Sequence, residues 1–170
     1  MKNNTGNNKI FTPGYFLPLL LLVLISSSCN PTKYVPKGET LLEDNQININ
    51  KEGVKKSELL PYIKQKPNKR IFGTRFYLGL YNLSNINKVR WPHKWLRVIG
   101  EEPVIFDSSA AVKTREQMKS YVASKGFFDG HVIDTFKTEA RKTMVFYNID
   151  LLPAYTVRNL HYEIADSNIR

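Results

Sequence analysis

Apolar residues fall into three patterns along the chain, and each pattern predicts a different kind of element. Residues 16–25 are an unbroken apolar run, Phe16-Leu17-Pro18-Leu19-Leu20-Leu21-Leu22-Val23-Leu24-Ile25. Alternation predicts strands over 41–50, 131–136 and 143–151; in the last, Val145, Tyr147, Ile149 and Leu151 share one side. Helical spacing predicts a helix over 55–65 through Leu59, Leu60 and Ile63, with Ser57 as N-cap and Pro67 as the stop. Pro61 fits that helix only if it begins close by. A second short helix over 73–83 would place Phe76, Tyr77, Leu80 and Leu83 on one side.

The strongest helical signal runs from Ser109 or Thr114 to Lys125, with Ala111, Met118, Tyr121 and Val122 on one face. Thr114-Arg115-Glu116-Gln117 fits a capping box and Gly126 a C-cap. Residues 82–92 read as a loop, 93–99 as a helical turn and 104–106 as a brief extended piece. The polar link 137–142 makes the last two strands a hairpin. Beyond Pro153, residues 155–165 predict another strand, with Leu160, Tyr162 and Ile164 on one face.

The apolar run is about half the ~20 residues that a spanning helix needs. Lys2 and Lys9 precede it and Ser26-Ser27-Ser28-Cys29 follow, which is the layout of a secretory signal peptide over residues 1–28. Cys29 is the only cysteine, so no intramolecular disulfide can form and the remaining 142 residues must stand on their core. The stretch 29–38, Pro- and Lys-rich, reads as a tether.

Charge is distributed unevenly. The chain carries a formal net charge of +10. Residues 64–97 hold nine basic side chains and no acidic one, interleaved with Phe72, Phe76, Tyr77, Tyr81, Trp91 and Trp95. Residues 98–170 are balanced, nine basic against ten acidic. A secreted chain does not routinely meet nucleic acid, so anionic head groups or an acidic protein are the better partners for the basic segment. The candidate contact residues are Lys69, Arg70, Arg75, Arg90, Trp91, Lys94, Trp95 and Arg97.

Catalytic patterns are missing from the sequence. His93, His131 and His161 are isolated from one another and from Cys29, which leaves no metal-ligand spacing. There is no Gly-rich phosphate loop and no Gly-x-Ser-x-Gly elbow. Glu101-Glu102 beside Pro103 reads as a solvated turn. The expectation is a protein that is not an enzyme and takes no metal or cofactor.

Two resemblances add to this reading. A cysteine at the first mature position is similar to the lipobox of bacterial lipoproteins, with Ser26 where Leu is usual; the resemblance implies that Cys29 is acylated, typically by palmitate. The residue reading leaves an ordinary signal peptide and one free thiol as the alternative. The order strand, helix, insertion, helix, hairpin resembles a POTRA (polypeptide-transport-associated) module, whose pattern is β-α-α-β-β. The segment Met118-Lys119-Ser120-Tyr121-Val122-Ala123-Ser124-Lys125-Gly126-Phe127-Phe128 is similar to that family's passage from second helix to hairpin, and Gly100-Glu101-Glu102-Pro103-Val104-Ile105-Phe106-Asp107 to its inter-helix link. With the lead-in Val-Pro-Lys-Gly-Glu-Thr-Leu-Leu and Lys66-Pro67-Asn68, the chain resembles the lipoprotein (TamL-like) branch of the TamA/BamA outer-membrane assembly factors of Bacteroidetes.

The resemblance implies an α+β fold: one POTRA-like domain over 39–152 carrying a basic insertion at about 69–100, then the first strand of a second module over 153–170. It implies the amino-terminal part of a larger protein, lipid-anchored in the outer membrane, a surface-antigen-type assembly factor. Partners would be unfolded outer-membrane protein clients or a periplasmic assembly component, captured by β-augmentation. The expected edge is His131, Val132, Ile133, Asp134, Thr135 and Phe136. A stand-alone envelope lipoprotein with a small α+β domain that binds a protein or glycan is the other reading of the same residues. The residues after Cys29 lack an acidic run, which favours an anchor facing the periplasm.

Overall fold

The computed structural model describes residues 30–161; the apolar run, Cys29 and residues 162–170 lie outside the described residues. Within them the chain forms β1 (Leu41–Ile49), α1 (Lys56–Leu59) continued by a 3₁₀ turn (Leu60–Tyr62), α2 (Phe76–Leu83), α3 (His93–Ile99), α4 (Ser108–Ser124), β2 (His131–Glu139) and β3 (Lys142–Asp150). The fold is α+β, with a three-stranded mixed sheet in the order β1-β3-β2. β3 is central, parallel to β1 and antiparallel to β2.

One face of this sheet makes the core. Ile47 from β1, Val132 from β2 and Val145, Tyr147 and Ile149 from β3 pack on Leu59 and Ile63 of the first helical segment and on Ala111, Met118 and Val122 of α4. Tyr121 and Phe127 close the edges of the cluster. The period of two seen in the sequence is thus the period of burial along β3. The opposite face is largely polar: Asn48 donates to Asn148 across the β1–β3 pair at 2.9 Å, and Gln46 and Thr135 are exposed.

α4 begins where Asp107 accepts from the Ser109 backbone N–H at 2.8 Å. It ends in a Schellman turn: Gly126 N–H donates to Ala123 O, Phe127 N–H donates to Val122 O, and Gly126 sits at φ +94°. Thr114 is not a cap. It is buried in mid-helix, donates to Ala110 O and accepts from the Lys64 backbone N–H, so it welds α4 to the end of the first helical segment.

Other expectations are corrected by packing. The helix expected over 55–65 is one α turn and one 3₁₀ turn, capped at Lys55 and not at Ser57, because Pro61 has no N–H to extend the α ladder. Glu58 anchors its start, accepting from the Lys55 N–H and the Tyr121 hydroxyl. α2 does not bury Phe76, Tyr77, Leu80 and Leu83; its inner positions are Leu78 and Asn82, one turn apart, and Phe76 and Leu83 are exposed. β2 runs three residues longer than predicted and β3 starts one residue earlier, leaving a two-residue turn at Ala140 and Arg141, both at positive φ. Residues 155–161 form no ladder, and the rest of the strand expected there lies outside the described residues.

Residues 30–38, expected as a tether, are packed. Val35 and Thr32 are buried, and Val35 joins Leu41, Leu78 and Ile105 in a second, smaller cluster. Asn82 Nδ2 donates to Asn30 O at 3.0 Å, Lys33 Nζ to Asn82 O, and the Tyr34 hydroxyl to Ser84 O. Arg141 in the hairpin turn donates to Val35 O and Pro36 O at 2.7 and 2.8 Å. These partners are far away in sequence, which is why Pro and Lys content suggested an unstructured lead.

Candidate functional site

Two surfaces carry the candidate residues, and their exposure follows from the sheet order. β2 pairs only with β3 among the described residues, so the backbone of its outer side is open along His131–Glu139. The expected edge residues all lie on it. Val132 points into the core, Ile133 and Thr135 are exposed, and Phe136 lies against Phe106 with ring centroids 5.0 Å apart. Asp134 is the one acid among them, and Arg115 of α4 holds it at 2.7 Å. That ion pair compensates a charge of the kind that often guards an open edge.

The other edge of the sheet is covered over Thr40–Glu43, at the start of β1. Leu42 N–H donates to Val104 O at 2.8 Å, Phe106 N–H donates to Thr40 O at 2.8 Å, and Leu41 bridges to Ile105. A register shift between Leu42 and Asp44 leaves the Glu43 carbonyl outside the β1–β3 ladder, and both Arg70 and Arg75 donate to it. The Glu43 carboxylate lies 2.9 Å from Arg75, 3.1 Å from Arg70 and 3.6 Å from Lys142. Burial works to raise this carboxyl, but the Arg75 hydrogen bond and the charges of Arg75, Lys142 and Arg70 outweigh it and hold the group below the usual range.

The basic segment therefore divides. Arg70 and Arg75 both brace β1, Arg75 largely covered and Arg70 still exposed. Lys69 is exposed, and its backbone N–H donates to Glu101 at 3.0 Å. Arg97 turns inward, donating to Asn85 O and Lys88 O, and so shapes the loop between α2 and α3. His93 Nδ1 accepts from the Asn85 N–H in the same loop, a structural use of that side chain. Arg90 and Lys94 are exposed and have no acidic partner within 4.0 Å among the described residues. Trp91 is 80% exposed and Trp95 52%.

Sequence reasoning missed the company those tryptophans keep. Val89 and Val98, never candidates, are 73% and 76% exposed, and Lys88 stands with the bases. In α3 the apolar Trp95, Val98 and Ile99 occupy one side at helical spacing and face outward, while His93, Leu96 and Arg97 are half-buried toward α2. Spacing alone groups the apolar three but cannot say that the group faces water. Gly100 allows the close approach of α3 to α2, since a Cβ there would stand 2.6 Å from the Tyr81 backbone nitrogen. Glu101 and Glu102 brace this junction: Tyr81 donates to Glu102 Oε1 at 3.2 Å, and Asn68 Nδ2 to Glu102 O at 2.7 Å. Cys29 lies outside the described residues, one residue before Asn30.

The depression lined by Tyr62, Glu116, Gln117, Ser120, Tyr121 and Ser124 is a shallow surface feature. No helix among the described residues is long and apolar enough to cross a membrane.

No family model and no curated protein matches the sequence. Among solved structures the chain is similar to the crystal structure of Haemophilus influenzae BamA POTRA3-5, with a TM-score of 0.31 and 12% identity over 80% of this chain and 77% of that one.

Proposed function

We propose that this domain is the POTRA-like region of a lipid-anchored, outer-membrane assembly factor, and that it captures an extended client or partner strand along the outer edge of β2. The observation that supports this reading most is the contrast between the sheet's two edges: β1 is closed over its first part, Thr40–Glu43, by residues 104–106 and by two arginines, whereas β2 is open along His131–Glu139 among the described residues. An open edge offers backbone donors and acceptors to any extended chain, so recognition depends little on client sequence. In the same reading Cys29 carries the acyl anchor, in a leaflet facing the periplasm.

Proline scanning along residues 131–136 of the full chain, with an unfolded outer-membrane protein as client, tests the capture step. Successive N–H groups of an edge strand point alternately to the partner strand and to the open side. Client cross-linking should therefore fall at every second position without loss of melting temperature, and stability should fall at the positions between. Client cross-linking that is indifferent to all six substitutions would remove β-augmentation at β2.

A further inference from the structure

The outward side of residues 83–99 presents an unusual combination. Its apolar members, Val89, Trp91, Trp95 and Val98, are each more than half exposed. Its bases Lys88, Arg90 and Lys94 have no acidic partner within 4.0 Å among the described residues, and no acidic residue occurs anywhere in 64–97. In α3 the apolar Trp95, Val98 and Ile99 face away from the protein, while polar His93 and Arg97 face toward it beside Leu96. Two bonds from Arg97 to loop carbonyls and one from the Asn85 N–H to His93 Nδ1 hold it that way.

The place where the chain leaves the described residues gives this surface an occupant. Asn82 at the end of α2 donates to Asn30 O, and the Tyr34 hydroxyl donates to Ser84 O at the start of the α2–α3 loop. The described chain thus begins beside the exposed loop, at Asn30, the residue that follows Cys29 in the sequence. An acyl chain on Cys29 would bring a bilayer to this side of the molecule. Basic residues gain attraction to anionic head groups within a Debye length of about 8–10 Å, and tryptophan is favoured at head-group depth.

We propose that the outward side of residues 83–99 is a docking surface for anionic phospholipid head groups, which fixes the orientation of the domain on its own membrane. The proposal rests on the envelope reading of residues 1–29 and is independent of strand capture by β2.

Trp91 and Trp95 are the only two tryptophans in the chain, so intrinsic fluorescence reports on this surface alone. The acylated full chain would be reconstituted into phosphatidylglycerol-containing vesicles and into pure phosphatidylcholine vesicles. In the former the emission should shift to the blue and be quenched by brominated lipid, and the effect should fade as salt rises. The double variant Arg90→Glu, Lys94→Glu removes two exposed bases and should lower docking at least about thirtyfold, with an unchanged melting temperature. A Cys29→Ser chain separates surface from anchor and should still dock, weakly, on the anionic vesicles. Three results would each overturn the proposal: tryptophans equally open to acrylamide with and without anionic lipid, equal salt-independent shielding on phosphatidylcholine, or concentration-dependent shielding without lipid, which would assign the surface to a second copy of the chain.

Discussion

The two hydrophobic clusters of this domain are built on opposite principles. The larger is a continuous apolar layer between one sheet face and the helices α1 and α4, with Leu59, Met118, Val122, Val145, Tyr147 and Leu151 at or below 2% exposure. The smaller joins only Val35, Leu41 and Leu78 with Ile105 beside them, and it is surrounded by side-chain bonds to backbone carbonyls from Lys33, Tyr34, Asn82 and Arg141. A core held by apolar burial must keep its apolar residues inside. The insertion, held by directional polar bonds, can leave tryptophan and valine outside and still keep its shape.

The sharpest way to break that contrast is to put a charge in the larger cluster. Tyr147→Asp places a carboxylate at a site 2% exposed and should cost on the order of 3–5 kcal/mol, a large part of a domain's stability. Urea unfolding would read this as a loss of the whole cooperative transition. A small shift with the tryptophan environment alone disturbed would contradict the register drawn here.

Leu78→Ala should cost less, about 2 kcal/mol, at the low end for this substitution because so small a cluster can close over the gap. Its effect should be local. Amide exchange is expected to quicken over residues 30–38 and in α2 and α3, while β3 amides keep their protection. Equal acceleration in β3 would mean that the two clusters form one cooperative unit.

The smallest effect belongs to the ion-pair centre that joins the two regions. Glu43 has its folded-state carboxyl below the ordinary value of 4.5, so its stabilising contribution is complete above that value and is lost as pH falls through the lowered one. Glu43→Gln should flatten the melting temperature over that acidic window, by an amount equivalent to at most about 1 kcal/mol for a partly solvated cluster. A pH profile identical to that of the parent chain would show that the arginines brace β1 through the Glu43 carbonyl alone.

The larger cluster was legible in the sequence because its signals are local. Alternation over 143–151 gave the buried side of β3, and Ala111, Met118 and Val122 gave the inner face of α4. Gly126 marked the end of that helix, and its Schellman turn is formed. The insertion was not legible, because its contacts join residues about 50 positions apart, as Tyr34 does with Ser84 and Lys33 with Asn82. Pattern reading grouped Phe76, Tyr77, Leu80 and Leu83 on one side of α2, whereas Leu78 and the polar Asn82 are the buried pair. The same rule failed in α3: spacing identifies a stripe, and only tertiary contacts decide which way it faces. Of the eight basic and aromatic candidates, Arg70, Arg75 and Arg97 proved to have intramolecular carbonyl partners, which composition cannot show.

The parallel pairing of β1 with β3 has a mechanical meaning. Leu41 pairs with Lys142 at one end and Ile49 with Ile149 at the other, so the chain enters β1 at one end of the sheet and leaves β3 at the opposite end, about 30 Å away at the rise of an extended strand. Tension between an anchor before residue 30 and anything held beyond residue 151 would pull the two strands past each other along their length. Every rung of the ladder would then share the load at once, where a hairpin pulled at its two ends opens one rung at a time. A domain wired in this way is a stiff link of fixed length between whatever anchors it before residue 30 and whatever it holds.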